Sequence, residues 1–374
     1  MSLRDIPPYR ADHVGSLLRP PELLQAREDH AAARIGDAEL RGIEDAAIRD
    51  VVALQADVGL RSATDGEFRR ASWHMDFIYQ LDGISKVVDE TLHVQFRNEQ
   101  GTLEFAPPSL YVDGKLGLSE TIFGDAFEYL KSVTADGQTP KLTIPSPSMV
   151  HYRGGRAAID DSVYPEMDAF WADLTSAYAE QVRRLGGLGC TYLQFDDTSL
   201  AYLNDPAQRE LVREMGGDAE HQHEAYIRHI NKALAGRPEG MAITTHMCRG
   251  NFRSSWVAEG GYDFVVETLF NELDVDGFFM EWDDARSGGF EPLRFVPPGK
   301  LVVLGLVTTK RGELEDADML KRRIEEASQY VDIEQLCLSP QCGFSSTSEG
   351  NALSREQQAD KLRLIVDTAE EVWG

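Results

Sequence analysis

Eight short strand-like runs recur along the chain, and helix-period segments separate most of them. The runs are "YRADHVGS", "RSATDGEF", "PKLTIPSP", "TYLQFDD", "MAITTHMC", "GFFMEWDD", "KLVVLGLV" and "EQLCLSPQCG". The segments between them carry apolar residues at spacings of three and four. In "PEMDAFWADLTSAYAEQVRRLGGLG", Phe170, Leu174, Tyr178, Val182 and Leu185 form one such face. In "DAELRGIEDAAIRDVVALQADVGL" the face runs through Leu40, Ile43, Ala47, Val51, Leu54 and Val58. Asp37 is placed to cap that helix and Gly59 to stop it. "SREQQADKLRLIVDTAEEVW" closes the chain as a last helix. This alternation predicts an α/β fold, a (β/α)8 TIM barrel. An open doubly wound sheet is the alternative, but no glycine-rich phosphate fingerprint follows the first run. One gap, roughly residues 80–138, breaks the pattern. Within it "LHVQFRNEQGTLEFA" reads as a β-hairpin, an insertion between strands 2 and 3. At about 60 residues the insertion is near the lower limit for independent folding, so residues 1–374 are expected to form a single domain.

The chain has 37 basic and 63 acidic side chains, a net charge of −26. Such a surface repels phosphate backbones and anionic membranes, so no nucleic acid and no membrane partner is expected. No run of 18 apolar residues is present, and "MSLRDIPPYR" lacks the apolar stretch of a signal peptide. Four cysteines in a chain of this length do not suggest a disulfide framework, and the expected setting is a reducing cytoplasm.

In a barrel of this type the C-terminal strand ends build the active site. Here those ends carry His13, Gly15 and Ser16, then Asp65 and Glu67, then Gln194, Asp196 and Asp197. Further on they carry His246 and Cys248, then Glu281, Asp283 and Asp284, and finally Cys342. His246 and Cys248 stand two apart after a strand run, where alternate side chains face the same way. Two thiolates, an imidazole and a carboxylate suit zinc, with His246, Cys248, Glu281 and Cys342 as the ligand set. Two thiolates leave the metal electron-rich, which favours activating a substrate thiol over activating water. A free thiol has a pKa of about 8.5, and coordination deprotonates it. Cys190 and Cys337 fall inside apolar runs and read as core. His221 and His223 have ligand-like spacing, but on a helix such a pair faces apart, and they read as a solvated face. His13 reads as a structural hydrogen-bonding group beneath the site. Asp283 and Asp284 either orient the ligands or pair with Arg286.

The pieces "HVGS", "DGEF", "QFDD", "THMCRGNF", "MEWDDARSG" and "SPQCGF" occur in one order across almost the whole chain. In this the sequence resembles the catalytic half of the cobalamin-independent methionine synthases, and in length their short single-barrel relatives. The resemblance implies a zinc (β/α)8 barrel that transfers a methyl group from 5-methyltetrahydrofolate, or another methyl donor, to homocysteine. It implies zinc at His246, Cys248, Glu281 and Cys342. It also implies acceptor contacts at Gly15, Ser16, Glu67 and Asp196, with the two acids receiving the ammonium group. Two features depart from the family pattern. No Trp stands in "SPSMVHYRGG", where the family stacks a pterin, and only Tyr152 and Arg153 are nearby. "LVTTK" lacks the family's His. Two other readings stay open. One is zinc-dependent alkyl transfer to another thiol, as in epoxide opening by coenzyme M. The other is a non-catalytic zinc- or thiol-binding protein. In the enzymatic readings the partners are a small-molecule thiol and a methyl or alkyl donor.

Overall fold

The computed structural model describes residues 5–87, 94–98, 101–106 and 108–374. Seven of the eight runs become strands of one all-parallel sheet. In chain order and in spatial order alike they are β1 (Ser62–Ala63), β2 (Thr139–Pro145), β3 (Tyr192–Asp197), β4 (Ala242–Met247), β5 (Gly277–Glu281), β6 (Leu301–Val307) and β7 (Leu336–Pro340). β3, β5, β6 and β7 are buried along their whole length, as expected of a parallel sheet covered on both faces.

The sheet is a curled half-barrel and not the closed eight-stranded barrel that the alternation predicts. The run at residues 9–16 does not become a strand. It meets β7 through a single parallel bridge, Ala11 to Leu338. Toward β1 it is held by side chains. The Ser62 hydroxyl donates to Asp12 at 2.7 Å, and the Thr64 hydroxyl donates to the Gly15 carbonyl at 2.6 Å. The cause is local. Gly15 has a φ of +152°, which turns the chain out of a regular ladder. Asp12 also gathers donors that a ladder would leave elsewhere: the Tyr192 hydroxyl at 2.8 Å, its neighbour His13 N–H at 2.8 Å and Lys141 Nζ at 3.5 Å. This buried network forms the floor beneath the strand ends.

Four long helices pack around the sheet: α1 (Asp37–Asp57), α2 (Met167–Gly187), α3 (Gln222–Ala233) and α4 (Arg355–Trp373). α2 buries Phe170, Leu174, Tyr178, Val182 and Leu185, the whole expected face. The buried face of α1 is rotated slightly, to Ala47, Ile48, Val51 and Val52. Its N-cap is Gly36. Asp37 stands inside the first turn, where its carboxylate meets His30 at 2.6 Å. Gly59 does stop the helix, with φ +90°. Ser354 and Gln357 form a capping box at the start of α4. His221 is exposed beside Asp218, whereas His223 is buried against Phe264, so only one of the two is solvated.

Between β1 and β2 lie two antiparallel strand pairs. Asp82–Val87 pairs with Ser109–Gly117, and Val94–Asn98 pairs with Gly101–Phe105. The second pair falls within the expected hairpin, whose turn at 99–100 lies outside the described residues.

Candidate metal centre and its cavity

Three strand ends on one side of the sheet, two of them adjacent, place the cluster. β4 carries His246 and leads directly into Cys248, β5 ends on Glu281, and Cys342 stands two residues beyond β7. One ligand atom from each of His246, Cys248, Glu281 and Cys342 lies within 4.8 Å of the others, and all four residues are buried. His246 Nε2 is 3.4 Å from Cys342 Sγ, and the two sulfurs are 3.4 Å apart. His246 Nδ1 is buried and has no partner among the described residues, so the ring is held by its Nε2 side. A compact set of one nitrogen, one oxygen and two sulfurs fits a four-coordinate metal ion, and this cluster could hold one.

Burial and mutual contact shift the proton affinities of the four residues. The hydrogen bond between the two thiols, with the charge of His246, holds the Cys342 thiol well below its ordinary range despite burial. The same bond and burial push Cys248 well above it. Burial pulls His246 down, but the Cys342 thiolate outweighs it and raises the imidazole to about 8. Burial raises Glu281.

A polar layer fixes the carboxylate. The Arg249 N–H donates to Glu281 Oε1 at 2.7 Å, and Arg286 Nη2 lies 3.4 Å from Oε2. Arg286 also bonds Asp283 at 3.0 Å, bonds Asp284, and lies over the Trp256 ring. Of the two alternatives for Asp283 and Asp284, the structure shows the pairing with Arg286.

The cluster opens into a cavity of about 240 Å³ whose lining includes Ser16, Glu67, Asp196, His246, Cys248 and Cys342. Glu67 has φ +62° and accepts from Thr143 at 2.8 Å. Its Oε1 is 3.6 Å from Arg70, while Oε2 is buried with no partner. Burial raises the Glu67 carboxyl. Asp196 accepts from Gln194 at 2.6 Å. Burial, with Glu67 nearby, pushes Asp196 up to about 7. Both acids thus lack a full complement of partners, which an added cation would supply. Arg69 turns away to Glu44 and Asp45. Gly15 and Ser16 pass beneath Glu67. A Cβ on Gly15 would lie 2.6 Å from Thr143 Cγ2, so only glycine allows this approach. Their two N–H groups donate to no described residue.

His13 departs from expectation. Its ring faces the Ser62 backbone and the Gln55 side chain without close hydrogen-bond geometry, and it is the His13 carbonyl that accepts from Lys141, at 2.5 Å. Burial holds the ring neutral, with a pKa near 4. Tyr152 does not line the main cavity. It is buried edge-on to Tyr202 and borders a neighbouring cavity. Cys190 and Cys337 are core. The sequence reading missed Trp73, His74, Asn251 and Ser346, all of which line the cavity. Trp73 and His74 follow the "DGEF" strand end within seven residues, a signal that rim position alone could have supplied.

Residues 11–371 match the profile of the family described as cobalamin-independent synthase, catalytic domain. The uncharacterized Bacillus subtilis protein YxjH is 46% identical over 98% of this chain and 95% of its own length. A provisionally assigned vitamin-B12 independent methionine synthase structure from Listeria monocytogenes is 37% identical, with a TM-score of 0.78 over 99% of both chains. A B12-independent methionine synthase from Shewanella sp. W3-18-1, in complex with selenomethionine, shares the fold at 18% identity, with a TM-score of 0.68 over 97% of both chains. Across nearly its whole length, the chain belongs to the cobalamin-independent methionine synthase family and carries its catalytic domain.

Proposed function

We propose that the protein is a zinc-dependent methyltransferase that methylates a thiol, with homocysteine as the acceptor. One observation carries this reading. Three residues of the cluster, His246, Cys248 and Cys342, line the same cavity as the underpartnered Glu67–Asp196 pair, and Glu281 completes the cluster behind them. His246, Cys248, Glu281 and Cys342 would hold zinc. When bound, zinc would supply the positive charge that makes an acceptor thiol nucleophilic at neutral pH. Glu67 and Asp196 receive the acceptor's ammonium group through charge-assisted hydrogen bonds. The free N–H groups of Gly15 and Ser16 receive its carboxylate. With both ends of the amino acid held, the thiol is confined beside the cluster, and proximity is the main contribution to rate. The methyl comes from 5-methyltetrahydrofolate or another methyl donor.

The test is to incubate the zinc-loaded protein with homocysteine and 5-methyltetrahydrofolate, and separately with homocysteine and methyl iodide as a generic donor. Methionine should form above the protein-free rate with at least one donor. Coenzyme M, which has no ammonium group, should react poorly in homocysteine's place. Zinc-loaded protein that accelerates neither reaction contradicts the reading. Equal rates for coenzyme M and homocysteine contradict the acceptor assignment.

A further inference from the structure

The main cavity is lined by three carboxylates, Glu67, Asp196 and Glu349, and, among the described residues, by one arginine and no lysine: Arg153. Arg153 follows the short helix Ser148–His151 in the loop after β2. Two glycines come next. Gly155 has φ +53°, and a Cβ on Gly154 would lie 2.4 Å from that of Ala158. The loop therefore closes tightly and fixes where Arg153 leaves the backbone. The guanidinium makes no hydrogen bond or ion pair with any described residue, and its Nε is buried without a partner. The chain carries 63 acidic side chains, yet none of the described ones neutralises this cation. A partly desolvated charge left unpaired is costly, so the arrangement suits a charge that arrives with a ligand.

Arg153 also borders two adjoining cavities, one reaching Met75 and Met149 and the other reaching Tyr152 and Gln208. It stands where the three spaces meet. His74 beside it is not a second cation, because burial and then Arg153 itself hold it down to about 3. Trp73, Phe96, Phe105 and Tyr202 supply an aromatic wall to the same cavity.

We propose that Arg153 is the anion-recognition residue for the methyl donor. A carboxylate or phosphate group of the donor lies against its guanidinium while an apolar or aromatic body lies along the wall. This inference rests on the methyl-transfer reading and extends it by naming the donor's charge. The acids at Glu67 and Asp196 suit an ammonium group, and the free N–H groups at Gly15 and Ser16 suit the acceptor's carboxylate. Arg153 is left for the second substrate.

The test needs neither a methyl donor nor turnover. Dissociation constants are measured for benzoate, phenyl phosphate and neutral benzamide with the protein as purified, and with Arg153→Gln and Arg153→Lys. The wild type should bind at least one anion about tenfold more tightly than benzamide. The tighter anion identifies the donor's group. Arg153→Gln should bring anion and amide to parity while benzamide binding stays unchanged, and Arg153→Lys should keep part of the preference. If Arg153→Gln does not fold, a reduced preference in Arg153→Lys decides the matter. Benzamide binding the wild type as tightly as both anions, or an undiminished preference in the variants, overturns the proposal. If anion preference depends on Arg153 but no thiol is methylated, the methyl-transfer reading fails and the anion site stands.

Discussion

At Cys248 and Cys342 the sequence offers two thiols from distant segments, and the fold leaves 3.4 Å between their sulfurs. Neither has a structural role that alanine could fill without loss of the donor set. Cys248→Ala and Cys342→Ala should each weaken zinc binding by more than about a hundredfold. Metal content after dialysis checks this, and full retention in either variant would remove that residue from the site. Zinc binding should also depend on pH, with a sign fixed by the protons the cluster holds. His246 is raised to about 8 and Cys248 well above its ordinary value, so near pH 7 both must lose a proton before they bind. Affinity should therefore rise as pH increases from 6 to 9, with about two protons released per zinc near pH 7. Calorimetry in buffers of different ionisation enthalpy measures that release, and a release near zero would mean that the cluster is not the site. Glu67→Gln should weaken homocysteine far more than a simple alkyl thiol, by on the order of tenfold or more. Equal losses for both thiols would mean that no ammonium group is received there. The four cluster residues were legible because their chemistry is rare and their positions follow strand ends. Arg153 and Trp73 were not, because what marks them is the space they face and the partners they lack.

At the scale of elements, strand β2 and the segment before β1 approach so closely that Gly15 has no substitute. Gly15→Ala combines a φ of +152° with a methyl 2.6 Å from Thr143 Cγ2. It should cost roughly 1–3 kcal/mol of stability and weaken acceptor binding as well. Denaturant unfolding and a homocysteine titration check the two effects separately, and an unchanged acceptor affinity would place Gly15 outside the acceptor site. Strand-like runs of five to seven residues, set between helix-period segments, announced β2 to β7 plainly. The run at 9–16 had the right length and spacing, but it contains Arg10, Asp12 and His13, all buried. The demand of Arg10 and Asp12 for side-chain partners and the turn at Gly15 replace a ladder with one bridge, which periodicity cannot register. The N-cap of α1 was misplaced for a similar reason. Asp37 is a good capping residue, but Gly36 takes the extended conformation at that position, and Asp37 turns to His30.

At the scale of the whole molecule, the cluster joins the ends of β4, β5 and β7, segments nearly a hundred residues apart in sequence. A metal that binds there only in the folded state must stabilise the sheet as a unit. With free zinc at about a thousand times its dissociation constant the gain is about 4 kcal/mol, or about 5 °C in thermal midpoint for a chain of this size. Removing zinc with a chelator should lower the midpoint by that amount, and the Cys342→Ala variant should not respond. The order of the strands was legible from the sequence because successive runs lie side by side. The openness of the sheet was not, because closure depends on one segment of mixed polarity. The most direct test of the central claim is X-ray absorption at the zinc edge, with and without homocysteine. Two sulfurs per zinc are expected in the protein alone and three once homocysteine is added. A count that stays at two, with homocysteine bound, would contradict that claim.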